Sequence, residues 1–339
     1  MNIARVPRIR LAHLPTPLEP MRRLSEALGG PNLWIKRDDC TGLATGGNKT
    51  RKLEFLMAEA VAQSADTVVT VGAYQSNHVR QTAAAAAKLG LACEVVLEHR
   101  VPHPDSDYLR SGNRFLNDLF LATTHEVETG GQPKERMKEV GEACRARGAV
   151  PYLIPGGGSN TTGALGYALC AQELLYQAAE LDLRIDGVVH ATGSAGTQAG
   201  LVAGLEALNS HVPVLGISIQ RKNDEQLPKV RTLVDAMADR LEVRGGIDDT
   251  RVQVNDNYIG PGYGYSSEAM VEAIRMCAEL EGLLLDPVYS GKGMAGLIDL
   301  CRRGHFKKDE NIVFIHTGGS VSLFAYLETF RRDGAPAES

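Results

Sequence analysis

The stretch "TGLATGGNKTRKLEF" at residues 41–55 is where residue types and spacing first suggest chemistry. A glycine-rich turn delivers Asn48, Lys49 and Thr50 to the start of a helical pattern. A nucleotide-binding phosphate loop requires G-x-x-x-x-G-K-[ST], with lysine directly after the last glycine. Gly42 and Gly47 have the right spacing, but Asn48 separates Gly47 from Lys49. The reach of the lysine and the direction of the backbone N–H groups are set together, so one extra residue spoils the motif. The segment before it, Leu33-Trp34-Ile35, is short and runs into the charged Lys36-Arg37-Asp38-Asp39. No convincing Mg2+ carboxylate accompanies Lys49-Thr50.

A lysine at a helix start faces the unfavourable end of the helix dipole. It is either exposed to solvent or tuned to lose its proton. The dipole contributes about 0.3–1 kcal/mol, too little to bring an amine from about 10.4 down to neutral pH. Burial must supply most of that change. A buried neutral amine forms Schiff bases with carbonyl compounds. Lys52, one turn later, is the competitor and reads as a solvated helix residue able to pair with neighbouring acids.

The best anion cradle is Gly193-Ser194-Ala195-Gly196-Thr197, between an apolar strand and the helix pattern TQAGLVAGLEAL. Glycines let successive N–H groups turn inward, and a helix N-terminus adds positive partial charge. Ser194 and Thr197 add hydroxyl donors. The loop is not G-x-G-x-x-G, and no acidic residue is placed to hold a ribose, so a small phosphate suits it better than a dinucleotide. The plainer alternative is a tight turn whose glycines serve helix–sheet packing. A phosphate cradle with a Schiff-base lysine suggests pyridoxal phosphate.

These residues need a framework. Apolar runs of strand length at 67–71, 93–97, 151–154, 187–191, 213–219 and 311–316 alternate with helical patterns. The helical patterns span 50–63, 77–89, 134–147, 161–179, 197–208, 225–241, 266–281 and 291–303. Such alternation with near-continuous Val/Ile/Leu strands implies an α/β fold with parallel sheets covered by helices on both faces. Residues 1–32, with three prolines in "LPTPLEP", read as an irregular lead-in. Glycine clusters at 70–78, 155–160, 192–200 and 316–320 follow strands and should reach one edge of the sheets, where ligands bind in such folds.

The chain has 339 residues, room for two domains, and a net charge of -5 without basic runs. Nucleic acid and anionic membrane are therefore not expected partners. The N-terminal stretch has no apolar signal core, no run reaches membrane-span length, and six scattered cysteines without a C-x-x-C pair suggest reduced, cytoplasmic thiols. His99 and His103 lie four apart, but Pro102 and Pro104 interrupt any helix there, and no metal site is expected.

The sequence resembles the fold-type II pyridoxal-phosphate enzymes, and within them the aminocyclopropane-carboxylate (ACC) deaminase / D-cysteine desulfhydrase family. The resemblance spans nearly the whole chain. It rests on "PTPLEP", "IKRDD", "GGNKTRKLEFL", "QSNHVRQTAA", "GGSNTTGALGY", "GSAGT", "LPKV", "PGYG", "LDPVYSGKGMAGL" and "HTGG", in that order. It implies the tryptophan synthase β-like arrangement, two parallel-sheet domains with the cofactor in the cleft between them. A larger cofactor-binding domain would take residues 1–49 plus 162–339, and a smaller substrate-loop domain residues 50–161. It further implies a cytoplasmic homodimer.

By the same resemblance Lys49 is the lysine that bonds the cofactor, with Gly46 and Gly47 admitting the cofactor close to the backbone. Gly193 to Thr197, Asn77, Ser290 and Thr317 complete the cofactor set. Gln75, Ser76, Asn77 and His78 form the loop that receives the substrate carboxylate, joined by Ser159 and Asn160. Lys49, Ser76, Tyr263 and Tyr289 are the implied catalytic residues. Plainer roles stay open: Asn77 as a helix N-cap, His78 as a locally bonded first-turn residue, and the tyrosines as seam packing.

One position departs from the deaminases, which carry a glutamate facing the cofactor's ring nitrogen where this chain has Ser290. A carboxylate keeps that nitrogen protonated and strengthens the electron sink; a hydroxyl does so less. Opening a cyclopropane needs the strong sink, whereas β-elimination sends electrons out with the leaving group. Ser290 therefore points to a lyase acting on a three-carbon amino acid with sulfur on Cβ. The expected substrate is L-cysteate, giving pyruvate, ammonia and sulfite, on the likeness of "CTGLATGGNKT" and "HTGGSVSLF" to sulfo-lyase members. D-Cysteine, giving sulfide, is the alternative; ring-opening deamination and a silent small-anion binder stand further back. Ser159, Asn160, Thr161 and Arg221 are the donors expected for a sulfonate, with Lys222 left to solvent.

Overall fold

The computed structural model describes residues 3–101 and 104–331. Ten strands run in chain order: β1 Leu18–Pro20, β2 Asn32–Arg37, β3 Thr67–Ala73, β4 Ala92–Glu98, β5 Thr123–Val127, β6 Pro151–Ile154, β7 Gly187–Thr192, β8 Val214–Ser218, β9 Val252–Asn255 and β10 Asn311–His316. Twelve α-helices accompany them: α1 Arg22–Leu28, α2 Lys49–Ala62, α3 Asn77–Leu89, α4 Ser106–Arg110, α5 Gly112–Leu119, α6 Pro133–Ala146, α7 Thr161–Glu180, α8 Gly196–Glu206, α9 Asn223–Arg240, α10 Glu268–Glu281, α11 Ser290–Arg302 and α12 Leu327–Phe330.

The strands form two sheets, one in the order β1-β2-β10-β7-β8-β9 and the other β5-β4-β3-β6. Every pairing is parallel except β1 with β2. The central strands are apolar throughout because helices cover both faces: all six residues of β7 are buried. Of the strands missed by apolar pattern, β1, β5 and β9 lie at sheet edges. β5 (TTHEV) has no fully buried residue, and β9 (VQVN) has one, so neither needs an apolar run. The lead-in is not wholly irregular: β1 and α1 lie within it, with Leu24 of α1 buried. β2 continues through the charged Lys36 and Arg37 because Lys36 has a buried destination.

That destination ties the lysine-bearing helix in place. Lys36 Nζ meets Glu173 Oε1 at 2.5 Å, and Arg51 bridges Asp38 and Glu173 at 2.8 Å each. Tyr167 donates its hydroxyl to Asp38. Removing one partner from such a buried cluster typically costs about 3–5 kcal/mol. The network joins β2, α2 and α7 directly behind Lys49. Close packing on the other flank depends on Gly200, where a Cβ would stand 2.3 Å from Ala164 O of α7.

The carboxyl ends of β3, β6, β7 and β10 deliver the four glycine-containing loops to adjoining cavities. An inner cavity and an outer one share Lys49, His78, Gly193, Ser194 and Tyr289.

Candidate active site

Lys49 opens α2, and its Nζ lies 6.0 Å from the ring centroid of Tyr289. Burial pushes its pKa down to about 8, while the Asp286 carboxylate pulls the other way. Burial is thus the dominant cause, as the weakness of the dipole requires. The turn before it is tight. Gly46 has φ +72°, and a Cβ there would stand 1.9 Å from Asp39 O. Gly46 is fixed by this backbone approach, a reason apart from admitting a cofactor.

Lys52 is not the solvated residue expected. It is fully buried, and its Nζ donates to Gly157 O at 3.1 Å and Ser159 Oγ at 3.3 Å. Three residues beyond Lys49 on the same helix face, it is carried inward with it. Among the described residues no acid pairs with it; burial above all, with the charges of Lys49 and Lys229, holds its pKa well below the ordinary lysine value.

The cradle is formed. Ala195 has φ +80°, so successive N–H groups turn inward, and α8 begins at Gly196. Asn48 Nδ2 donates to Thr197 Oγ1 at 3.0 Å. Ser159 Oγ reaches Ser194 Oγ at 2.8 Å and accepts from Gly196 N at 3.2 Å. Lys229 Nζ donates to Gly193 O at 3.1 Å, and burial beside Arg221, Lys134 and Arg100 lowers its pKa to about 8. Buried ammonium groups beside a ring of N–H and O–H donors are short of negative charge. A bound phosphate dianion supplies it, so the residues fit the cofactor.

His78 also faces the cavities. Thr70 gives its one hydroxyl proton to Ile154 O at 2.9 Å, so His78 Nε2, 2.8 Å from Thr70 Oγ1, is the donor in that pair. The partners therefore assign a neutral imidazole with a bare Nδ1, and Nδ1 has no partner. Burial and the nearby Lys49 hold its pKa well below the usual value, which keeps that lone pair free.

The N-cap of α3 is Ser76, whose Oγ accepts from Val79 N at 3.3 Å; Asn77 is the first helical residue. Asn77 lines the inner cavity, with its Oδ1 accepting from Arg80, Asn113 and Ser322. Ser76 lines the outer cavity. Gln75 spends its side chain on Tyr108 O, Ser111 O and Asn113 N. Asn160 caps α7 through Gly163 N at 2.8 Å. Thr317 lines the inner cavity, and its carbonyl accepts from Asn48 N at 3.0 Å.

Tyr263 and Tyr289 meet hydroxyl to hydroxyl at 2.5 Å with rings edge to face. Burial raises both pKa values, so both keep their protons. One phenol donates to the other, which leaves the second proton free for a group in the cavity. Ser290 is fully buried at the start of α11; its hydroxyl donates to Asp286 Oδ1 and accepts from Asp286 N, both at 2.7 Å. Asp286 was not singled out from sequence. Its carboxylate also accepts from the backbone N–H groups of Val288, Tyr289 and Ser290. His99 pairs with Glu126 at 2.9 Å, and His103 lies outside the described residues.

This lysine, cradle and cleft define a fold-type II pyridoxal-phosphate enzyme. Comparison with known proteins agrees: residues 9–318 match the family of pyridoxal-phosphate dependent enzymes, and the chain belongs to that family. It is 49% identical over 325 residues to D-cysteine desulfhydrase of Klebsiella pneumoniae (strain 342), covering 96% of this chain and 98% of that one. It is 47% identical over 326 residues to D-cysteine desulfhydrase of Serratia proteamaculans (strain 568), covering 96% and 97%. A crystal structure of an ACC deaminase homologue superposes with a TM-score of 0.86 at 36% identity, covering 96% of each chain. A crystal structure of a threonine deaminase, at 22% identity and TM-score 0.63 over 95% and 94%, shares the fold. Pyridoxal phosphate is the cofactor.

Sequence reasoning misread Lys52 as solvated and passed over Asp286 and the cations Arg100, Lys134 and Lys229. Lys52 carried one available signal, its three-residue spacing from Lys49. The others come from separate elements and carried none.

Proposed function

We propose that the chain is a pyridoxal-phosphate-dependent carbon–sulfur lyase that eliminates a sulfur group from Cβ of a three-carbon amino acid. The observation that carries it is Lys49, an amine with pKa near 8 set beside a phosphate cradle and two protonated phenols. Pyridoxal phosphate, when bound, supplies an aldehyde for the substrate amine and a conjugated ring that draws electrons from Cα. Lys49, Lys52, Asn48 and the Gly193–Thr197 loop would hold it. Ser76 and Asn77, at the start of α3, would receive the substrate carboxylate. Lys49 is the base that takes the Cα proton. The free proton of the Tyr263–Tyr289 pair is placed to stabilise or protonate the departing sulfur. Ser290, bonded to Asp286, offers no carboxylate of its own, which disfavours ring-opening deamination.

The relatives named D-cysteine desulfhydrase support sulfide release from D-cysteine, with pyruvate and ammonia as the other products. A second reading, sulfite release from L-cysteate, is favoured by one feature. Arg100, Lys134, Arg221 and Lys229 line the outer cavity together, and a sulfonate would need cationic or hydroxyl partners there. Lys222 is not among them: it is 72% exposed and 4.0 Å from Asp256. The family resemblance also supports a cytoplasmic homodimer, with residues 1–49 plus 162–339 as one domain and 50–161 as the other. Among the described residues no helix is long and apolar enough to cross a membrane.

The test supplies D-cysteine, L-cysteine, L-cysteate and ACC separately. It measures pyruvate or ketobutyrate together with sulfide and sulfite. Sulfide from D-cysteine with the highest kcat/KM supports the desulfhydrase reading, and sulfite from L-cysteate the second. Ketobutyrate from ACC as the dominant product would overturn the lyase assignment.

A further inference from the structure

Lys292 is the third residue of α11, fully buried. An ammonium in the first turn of a helix meets the positive end of its dipole, and no carboxylate among the described residues lies within ion-pair distance of it. Its partners are two backbone carbonyls, Ile259 O at 2.7 Å and Gly262 O at 2.6 Å. Both belong to the irregular segment that carries Tyr263, between β9 and α10. The same helix follows directly on Tyr289. One side chain therefore spans the two elements whose phenols meet at 2.5 Å. The segment has further side-chain ties: Tyr258 donates its hydroxyl to Asp299 Oδ2 of α11 at 2.6 Å, Ser266 meets Thr329 at 3.1 Å, and Tyr326 donates its hydroxyl to Gly264 O at 2.8 Å. Lys292 alone among these holds the two carbonyls that flank Pro261 and precede Tyr263.

A buried monovalent cation coordinated by carbonyl oxygens is chemically an ammonium or potassium site in which the cation is covalently attached. We propose that Lys292 is a positioning residue that acts as a tethered monovalent cation, holding the Tyr263 segment against α11 so that the Tyr263–Tyr289 pair faces the substrate. Burial lowers its pKa to about 8, while Asp286 pulls it up. Ile259 is buried and Gly262 half-buried, and the ammonium satisfies both carbonyls where they turn inward.

The proposal rests on the lyase reading only for the activity measured, so its test has readouts independent of turnover. Lys292→Ala empties the site, and Lys292→Met fills it without charge. Each holoenzyme is studied in sodium-free buffer with added ammonium, potassium or tetramethylammonium chloride. For Lys292→Ala, ammonium or potassium in the tens of millimolar range should raise the melting temperature, and restore at least 10-fold in kcat, with KM less affected. Tetramethylammonium is too large and should do neither. Lys292→Met and the native enzyme should not respond. The cofactor absorbance should persist in both variants, showing that the site for it is intact. Melting of Lys292→Ala that is indifferent to the cation would overturn the proposal, whichever substrate the enzyme prefers. So would a Lys292→Met enzyme with native kcat. If no substrate in the panel is turned over by the native enzyme, the lyase reading fails, and cation-dependent melting still decides the role of Lys292.

Discussion

Lys52 Nζ lies 3.3 Å from Ser159 Oγ and 3.1 Å from Gly157 O, on the rim of the cradle built by Gly193–Thr197. A Cβ added at Gly196 would stand 3.0 Å from that same Nζ. The lysine thus belongs to the phosphate side of the site, while Lys49, one turn earlier, stands 6.0 Å from the Tyr289 ring. On the proposed reading the two lysines on one helix face would divide the work of holding the cofactor.

Replacing Lys52 by Ala should therefore weaken cofactor binding. A charge-assisted hydrogen bond is worth about 1.5–3 kcal/mol, so the dissociation constant should rise roughly 10- to 100-fold. Titration of the apoenzyme followed by visible absorbance measures it. An unchanged affinity would place Lys52 outside the phosphate site.

Lys49→Ala should fold with an unchanged far-ultraviolet spectrum, because the amine makes no hydrogen bond to the fold among the described residues. It should lose the absorbance of the covalently held cofactor, and turnover should fall by at least about 10³-fold. Activity surviving in Lys49→Ala would transfer the catalytic role elsewhere.

Attachment of cofactor to the apoenzyme should depend on pH with a definite sign. The Lys49 amine attacks only when neutral, and its pKa is lowered to about 8. The reaction rate should rise with pH below 8 and level off above it, rather than climbing towards the ordinary lysine range. Stopped-flow absorbance across pH 6–10 follows it. The same depression makes the protonated amine unfavourable in the folded apoenzyme, so this lysine's contribution to stability grows as pH rises from about 8 towards its unfolded value.

Ser290→Ala removes both bonds between the hydroxyl and Asp286 in a fully buried place. A cost of about 1–3 kcal/mol is expected, read as a lower denaturation midpoint with cofactor still bound. Ser290→Glu sets a second carboxylate beside Asp286 and should be more destabilising still; the cofactor absorbance then reports whether the new acid reaches the ring. Identical midpoints for native and alanine enzymes would show that the Asp286 bonds add nothing.

Arg221→Gln separates the two sulfur substrates. Arg221 lines the outer cavity near Gly193 O, 3.9 Å from Glu225. For L-cysteate the KM should increase a few-fold, about 1 kcal/mol, while the KM for D-cysteine should stay unchanged. Parallel changes for both substrates would remove the argument from the cationic lining.

The local features were legible in the sequence because they are local in the chain. Helix starts at Lys49, Asn77, Thr161 and Gly196, the buried runs of β3, β7 and β10, and the loop Gly193–Thr197 each follow from a few consecutive residues, and the helix starts and strands lie within one or two residues of their patterns. What tertiary structure decided are the partnerships between distant segments. Lys52 looks like an ordinary surface lysine until α2 packs against α7 and α3, where its spacing from Lys49 turns it inward. Asn77 reads as a possible N-cap in the sequence, and the fold gives that place to Ser76. Gln75 reads as a ligand residue, yet its side chain is claimed by residues 108–113. Lys292 is one more basic residue in "SGKG" until Ile259 and Gly262 arrive from another element. Buried charge is invisible to pattern because its cost or benefit depends on partners that sequence distance does not reveal, and only the closed fold supplies them.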